Sequence, residues 1–286
     1  MLNKNVHTFI GCDAEYDKAK IVLFGAGYDA TTSFRPGARF APSAIRNESF
    51  GIETYSPYQD KDLLDCKVFD SGDLELSHVN LFGEICGRVK TVTDDGKIPF
   101  MIGGEHSVTF PAFVCAVHAY PDVNIIHFDA HADLRRQYLD DPFSHACVIR
   151  RCHEGDIGGY EFGDGRIFQF GIRSGEREEF LYAEKHTHMQ KFNFDGLEEV
   201  VKKLRGKPVY FTIDLDVLDP SIFPGTGTPE AGGVTFEELR KAATLVCSSC
   251  NIVGCDVVEL APNYDPSGVS TAVACKIIRE MLLAMS

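Results

Sequence analysis

The 286-residue sequence lacks several features that would place it in other classes of protein. No apolar run approaches the roughly 20 residues that a transmembrane helix needs. The N-terminus does not have the shape of a signal peptide, so we expect a cytoplasmic protein that does not bind membranes. No internal repeat, low-complexity tract or Pro/Ser-rich linker divides the chain. We therefore predict a single domain over residues 1–286.

An excess of positive charge is also absent. Lysine and arginine number 28 against 42 aspartate and glutamate residues, which gives a formal net charge of −14. Nucleic-acid binding needs a basic face, so we exclude it as a function. An acidic protein can attract small cationic substrates, although we expect most of this charge to be solvated surface. Hydrophobic residues make up 44% of the chain, which is enough for a large core.

The ten cysteines are not accompanied by any sign of secretion. They are scattered through predicted core elements of a long chain, so we predict reduced thiols rather than disulfides. Cys247 and Cys250 form a lone C-x-x-C pair, without the two further ligands of a zinc site or the context of a redox motif. We expect this pair to pack at the end of a helix.

Short apolar runs alternate with amphipathic segments along most of the chain. The capping box Thr235–Glu238 predicts the start of one helix. Another helix, from about Ser77 to Asp94, is predicted to bury one face. That face carries Val79, Ile85, Val89 and Val92. We predict strands near residues 21–24, 65–73, 123–128, 166–171, 186–190, 209–213 and 252–258, and one ending at 104. Alternating strands and helices predict an α/β fold, a three-layer α/β/α sandwich with a mainly parallel central sheet.

One stretch combines a buried strand with three potential metal ligands. The apolar residues 125–128 run into Asp129, His131 and Asp133, which would share one face of an extended strand. The outer two would then lie about 13 Å apart at ~3.3 Å per residue, too far for a single ion. Either the strand ends near Asp129 and the chain curls, or the three residues serve two metals, or both. Taken alone, the pattern could also be a polar strand end.

Two further strand ends supply partners for this pattern. Asp214 and Asp216 follow a second apolar run, and His106 follows two glycines at the end of a third. Four carboxylates buried together repel one another and need cations. Two divalent ions balance them, and an oxygen-rich set with two imidazoles suits Mn²⁺ better than a structural zinc. We therefore predict two Mn²⁺ per chain.

The three motifs G-G-x-H, D-A-H-x-D and D-x-D-x-x-D-P occur in this order, and together they resemble the ureohydrolase family of arginases and agmatinases. The resemblance extends from Phe24 to the end of the chain and implies homo-oligomers, either trimers or hexamers. It also implies two metal positions that share Asp129 and Asp214. His106 and Asp133 would complete the first position, and His131 and Asp216 the second.

The resemblance assigns catalytic roles to three residues. Glu259 would hold the guanidinium of the substrate, and the second oxygen of Asp133 would orient the nucleophile. His145 would shuttle a proton to the leaving amine, a role that suits a histidine with a pKa near neutral. The family's usual Ser-His-Gly is Ser-His-Ala here, which bears on backbone freedom. His127 shares the strand face of Asp129, and we expect it to be a hydrogen-bonded core residue rather than a ligand.

The sequence favours agmatine as the small cationic guanidino substrate, converted to putrescine and urea. The polar residues with which arginases hold the amino-acid end of arginine are missing from 141–144, and 172–176 resembles the agmatinase version. A carboxylate would also be desolvated in an acidic pocket. Guanidinobutyrate or another guanidino acid is the alternative, since Arg35 or Arg173 could meet a carboxylate. Arginase activity is disfavoured.

Two readings from other classes compete with a ureohydrolase. A dimetal phosphoesterase is disfavoured because no lysine or arginine in the ligand loops is placed to clamp a phosphoryl group. An inactive metal-binding homologue is disfavoured because no ligand, nor Glu259 or His145, has been lost. Arg35, Arg39 and Arg46 could bind an anion, but we expect them to pair with carboxylates instead.

Overall fold

The computed structural model describes residues 2, 7–155 and 158–286. The strands in this part of the chain are β1 (Ile21–Ala26), β2 (Tyr55–Ser56), β3 (Lys61–Asp62), β4 (Val68–Asp73), β5 (Ile98–Gly103), β6 (Asn124–Phe128), β7 (Ile167–Ile172), β8 (His188–Lys191), β9 (Pro208–Asp214) and β10 (Asn251–Val258). Eight of them form one sheet in the order β4-β1-β5-β10-β9-β6-β7-β8. All neighbours in this sheet are parallel. β2 and β3 form a separate antiparallel pair.

Helices cover both faces of the sheet. They are α1 (Ala41–Ser49), α2 (Leu81–Asp94), α3 (Thr109–Ala119), α4 (Val148–Glu154), α5 (Arg177–His186), α6 (Leu197–Lys203), α7 (Phe236–Ser249) and α8 (Val269–Met285). One apolar cluster joins the sheet to α1, α6, α7 and α8. A second cluster on the opposite face joins it to α2, α3, α4 and α5. The predicted three-layer α/β/α sandwich with a parallel sheet is confirmed.

The central strands are buried on both faces, as their continuous apolar sequences predict. Every residue of β1, β6 and β9 is buried. The register aligns the carboxyl ends of four adjacent strands, since Ile102 pairs with Val257, Val258 with Asp214, and Phe128 with Ile213. Side chains that follow these ends therefore meet at one edge of the sheet.

Element boundaries differ from the prediction most clearly before α2. The helix begins at Leu81 rather than near Ser77, and Val79 is 95% exposed instead of buried. The cause is local, because the Asn80 side chain accepts from the Ser77 amide at 2.6 Å and closes a turn. The capping box is confirmed, since the Glu238 amide donates to Thr235 Oγ1 and the Thr235 amide donates to Glu238 Oε2.

The prediction of reduced thiols throughout is wrong at one pair of cysteines. Cys86 on α2 and Cys115 on α3 form a disulfide, with Cα atoms 5.6 Å apart. The two helices pack side by side and bring together residues 29 positions apart, a proximity with no sequence signal. Cys247 and Cys250 are unpaired and lie at the end of α7, as expected.

The arginines of the N-terminal third pair with carboxylates and aromatic rings. Arg46 is buried, with Nε 2.8 Å from Asp70 Oδ2 and a further contact to Asp73. Arg39 pairs with Asp29 at 2.8 Å. The Arg35 guanidinium lies over the rings of Phe34 and Tyr264.

Across the described residues, no helix has both the length and the apolar character needed to cross a bilayer.

Candidate active site at the carboxyl ends of the central strands

The predicted site residues follow four adjacent strands and meet at one edge of the sheet. His106 follows β5, Asp129 follows β6, Asp214 ends β9 and Glu259 follows β10. All four are buried, with Asp129 fully inaccessible. A loop after β6 adds His131 and Asp133, and the turn after β9 adds Asp216. The structure thus brings together every metal ligand that the sequence predicted.

The first group of potential ligands is centred on His106. Its Nδ1 lies 3.2 Å from Asp129 Oδ2, 3.1 Å from Asp133 Oδ2 and 3.5 Å from Asp214 Oδ2. This Nδ1 is buried and has no hydrogen-bond partner among the described residues. Three carboxylate oxygens and one imidazole nitrogen therefore converge on a single point, as around a divalent ion.

The second group is centred on His131, whose Nδ1 lies 2.9 Å from Asp216 Oδ2 and 3.5 Å from Asp129 Oδ1. Asp129 faces the two groups with different oxygens, which is the geometry of a bridging ligand. Asp214 faces the first group with Oδ2, while its Oδ1 accepts from the Asp216 amide at 2.8 Å. The bridging roles of Asp129 and Asp214 both stay predictions.

The electrostatics of this cluster fit divalent cations. Burial and neighbouring carboxylates raise the pKa of Asp133 and Asp214 above the usual range. Asp216 Oδ2 is buried and lies 2.9 Å from His131 Nδ1, in an orientation that does not make a good hydrogen bond. Asp133 and Asp214 therefore favour the protonated form unless cations compensate their charge, whereas the neighbouring histidines lower the pKa of Asp129. The residues present therefore suit a metal centre with two positions.

The strand ends at Phe128, and the chain then curls, which brings Asp133 beside His106. Asp133 has a φ of 53° and Glu259 a φ of 65°, both in the left-handed region that non-glycine residues rarely occupy. Such a conformation costs roughly 1–3 kcal/mol and persists where the surroundings enforce it, often at functional sites. Both are residues for which the family resemblance predicts a catalytic role, so the strain lies where that prediction places the chemistry.

Hydrogen-bond partners behind the cluster orient His106 and His127. His106 Nε2 lies 2.9 Å from Thr212 Oγ1, which itself donates to Asp256 Oδ1 at 2.6 Å. Because the Thr212 hydroxyl donates its hydrogen bond to Asp256, its oxygen accepts from His106 Nε2–H. The lone pair of His106 Nδ1 then faces the carboxylates. His127 Nδ1 is 3.1 Å from the Gln169 amide nitrogen, and Nε2 is 2.8 Å from Asp129 Oδ2. His127 is a hydrogen-bonded core residue, as predicted.

Glu259 connects the metal cluster to the cavity above it. Its Oε1 accepts from the His106 amide at 2.7 Å, and its own amide donates to the Gly104 carbonyl at 2.9 Å. Burial and Glu105 raise the pKa of this carboxyl group. A cationic partner would offset both effects, which is what a guanidinium provides.

His145 is held by the loop after β1. Its amide donates to Thr31 Oγ1, and its Nδ1 lies 3.0 Å from the Thr31 carbonyl oxygen. Nδ1–H donates to that carbonyl, so Nε2 is the nitrogen left for proton transfer. Burial and His131 lower the pKa of His145 to about 4, which is below the near-neutral value expected from the sequence, so the imidazole is neutral at pH 7. Glu105, fully buried, anchors this loop by accepting from the hydroxyls of Thr31 and Thr32.

A cavity of about 360 Å³ opens above the cluster and is lined by Glu259, His145 and Asp133. Sequence reasoning missed most of its outer wall, which contains Ser33, Phe34, Arg135, Tyr138, Ser174, Thr228 and Glu230. Thr228 and Glu230 lie a few residues beyond the D-x-D-x-x-D-P motif, and this proximity is the signal that could have identified them.

A second group of potential ligands lies apart from this cavity. His153 Nε2 and His186 Nδ1 lie 3.0 and 2.7 Å from the same oxygen of Asp164. Their hydrogen bonds join α4, α5 and the segment before β7. These mutual bonds account for the group without an ion.

Comparison with known proteins places this site in a family. The model of the Arginase family matches residues 19–284. Agmatinase from Bacillus subtilis is 46% identical over 281 residues, covering 96% of this chain and 95% of that protein. Human mitochondrial guanidino acid hydrolase is 32% identical, with 92% and 77% covered. A Clostridium difficile crystal structure superposes with a TM-score of 0.90 at 52% identity, covering 95% and 99% of the two chains. The resemblance carried by the three motifs is confirmed, and the chain belongs to the arginase family.

Proposed function

We propose that this protein is an agmatinase, which hydrolyses agmatine to putrescine and urea. The observation that carries the proposal is the charge of the cavity wall. Its described lining has five carboxylates, namely Asp133, Glu179, Asp214, Glu230 and Glu259, and one arginine, Arg135. Asp133 and Asp214 face the proposed cations and Glu179 pairs with Arg135, which leaves Glu230 and Glu259 to face the substrate. Arg135 pairs with Glu176 at 2.9 Å and Glu179 at 3.4 Å. Such a wall favours a substrate with cations at both ends and disfavours a carboxylate.

Arg35 and Arg173, the two arginines that could have bound a substrate carboxylate, contact other groups of the protein. Arg173 donates to backbone carbonyls, among them those of Asp216 at 2.7 Å and Glu230 at 2.9 Å. Arg35 lies over two aromatic rings. These contacts support agmatine over guanidinobutyrate and arginine. The 46% identity to the Bacillus subtilis agmatinase supports the same choice.

Two Mn²⁺ per chain are proposed for the cluster, because its donors are mainly oxygen atoms. His106, Asp129, Asp133 and Asp214 would hold one ion, and His131, Asp129, Asp214 and Asp216 the other. When bound, such a pair lowers the pKa of water and so supplies a nucleophile at neutral pH.

The protein's own residues position the substrate and move its protons. Glu259 accepts N–H groups of the guanidinium and fixes its plane beside the cluster. One carboxylate oxygen of Asp133 would bind a cation, and the other accepts a hydrogen bond from the attacking water and orients it. His145, neutral at pH 7, accepts a proton at Nε2 and passes it to the leaving amine nitrogen, so that the amine departs uncharged rather than as an anion.

A substrate comparison tests the proposed function. We expect kcat/KM for agmatine to exceed that for arginine and for 4-guanidinobutyrate by at least ~10-fold, since an unpaired buried carboxylate loses well over 1.4 kcal/mol. Urea release from each compound is the measurement. Arginine at parity with agmatine would refute the assignment. Guanidinobutyrate as the best substrate would make the protein a guanidino acid hydrolase, like its human relative.

Metal removal tests the proposed cofactor. We expect Mn²⁺-loaded protein to contain two ions per chain and to lose thermal stability on chelation, because the apo cluster retains uncompensated negative charge. Elemental analysis and thermal unfolding with and without EDTA measure this. One zinc per chain, or an unchanged melting temperature after complete metal removal, would contradict it.

Three broader properties are proposed on the family resemblance and the sequence. They are a homo-oligomeric assembly of three or six chains, a cytoplasmic location and a single domain spanning the chain. Size-exclusion chromatography with light scattering tests the first of these.

A further inference from the structure

We propose that Glu230 is the residue that binds the distal ammonium group of the substrate. This inference rests on the proposed function, because it takes agmatine as the substrate. Glu230 lines the same cavity as Glu259 and His145, and its side chain is 41% exposed. It lies on the segment between β9 and α7, which brings it over the cavity from the side of His131.

The Glu230 carboxylate is held in place on one side and open on the other. Its Oε1 accepts from Ser174 Oγ at 2.9 Å and lies 3.7 Å from His131 Nε2. Its backbone carbonyl accepts from Arg173 Nη2 at 2.9 Å. No partner for Oε2 is present among the residues that the structure describes. The carboxylate therefore has a fixed position and an oxygen available to a donor from the cavity.

Its segment is also fixed at both ends. Asp219 Oδ1 accepts from the Ser221 amide at 3.0 Å, and Oδ2 accepts from the amides of Gly232 and Gly233 at 2.9 and 3.1 Å. These bonds close the loop that carries Glu230. A carboxylate on a fixed loop loses less conformational entropy on binding than one on a mobile segment.

The other carboxylates of the cavity wall have different partners. Asp133 and Asp214 belong to the metal cluster, and Glu259 lies at the guanidinium position. Glu179 is buried and accepts from the amides of Leu134 and Glu176 at 2.9 and 2.7 Å. Among the described lining carboxylates, Glu230 is thus the one that is exposed to the cavity and has an oxygen, Oε2, without a hydrogen-bond partner.

The chemistry of the ligand matches this position. Agmatine presents a guanidinium at one end of a four-carbon chain and an ammonium at the other. With the guanidinium at Glu259, the ammonium must find an acceptor in the outer wall or stay in water. A carboxylate accepts a charge-assisted hydrogen bond from it, and the same carboxylate repels a ligand that carries a carboxylate there.

The test compares Glu230→Gln with the parent protein on agmatine and on 1-butylguanidine, which has the same carbon chain without the amine. We expect kcat/KM for agmatine to fall about 5- to 20-fold, the range for a charge-assisted hydrogen bond in a partly solvated site. The value for 1-butylguanidine should change by less than about 2-fold. The variant should also hydrolyse 4-guanidinobutyrate better than the parent, since repulsion is removed. Glu178→Gln, an exposed residue of α5 outside the cavity lining, controls for the change in net charge.

The activities of the parent protein and of Glu230→Gln on the two substrates distinguish ammonium binding from a structural role of Glu230. An equal loss on agmatine and 1-butylguanidine would overturn the inference and assign Glu230 to the support of His131. No loss on agmatine would overturn it as well. If the parent protein hydrolysed 1-butylguanidine as well as agmatine, the inference would fail, because the ammonium would then contribute nothing to recognition. Failure of the proposed function would instead appear as little or no urea release from agmatine by the parent protein.

Discussion

Replacing Asp129 with asparagine is expected to reduce kcat by ~10³-fold or more. Asp129 faces both ligand groups, with Oδ2 at 3.2 Å from His106 Nδ1 and Oδ1 at 3.5 Å from His131 Nδ1. An amide offers one neutral oxygen in place of two anionic ones, so neither ion would keep its full ligand set. A catalytic metal centre lowers a barrier by several kcal/mol, and each 1.36 kcal/mol corresponds to a factor of ten in rate.

Kinetics and metal analysis on the same preparation measure this effect. Asp164→Asn is a matched control, because Asp164 also lies between two histidines but outside the cavity. The control should keep its turnover and two ions per chain, while the Asp129 variant should lose both. Full turnover in Asp129→Asn with two bound ions would show that Asp129 is not a bridging ligand. Asp214→Asn should behave like Asp129→Asn, which would test the bridging role that its contacts leave open.

Replacing His145 with alanine is expected to lower kcat by about 10²–10⁴-fold, the usual contribution of a general acid–base group. Among the described residues, the hydrogen-bond contacts of the imidazole are with Thr31, Ser33 and Ser144, none of which belongs to the ligand cluster, and the Tyr138 ring packs edge-on against it. Metal content should therefore stay at the parent level, in contrast to Asp129→Asn. Proton transfer to the leaving amine is the step that should slow.

Two further measurements separate proton transfer from a structural effect. Added imidazole should restore part of the activity of His145→Ala, because a small base can enter the space left by the ring. His118→Ala, at an exposed histidine of α3, should retain full turnover. Full turnover of His145→Ala at neutral pH would contradict the shuttle role, and a loss of bound metal would indicate a structural one.

The sequence predicted those parts of the molecule that local pattern determines. Continuous apolar runs gave the central strands, and the ligand motifs gave the residues at their carboxyl ends, because parallel strands align those ends at one edge. The position of His127 behind Asp129 also followed from strand alternation. In each case the spacing along the chain fixes the relevant geometry within a few residues.

Features that depend on contacts between distant segments were not predictable in this way. Glu105 anchors the Thr31 loop across 74 positions, and no local signal marks it as a support for His145. The disulfide between α2 and α3 arises from helix packing. The start of α2 was misplaced because the side chain of Asn80 closes a turn where hydrophobic periodicity alone predicts helix. Glu230 was missed because its role depends on a loop that folds back over the cavity.

The position of β10 in the sheet has a consequence for folding during synthesis. This strand follows the other nine described strands along the chain and is therefore synthesised after them, yet it lies between β5 and β9. Without it, β4-β1-β5 and β9-β6-β7-β8 are not joined, and β5 and β9 each lack a neighbour. Unpaired edges of this kind invite aggregation with other chains. A chain truncated before residue 251 therefore leaves both of these edges unpaired at once.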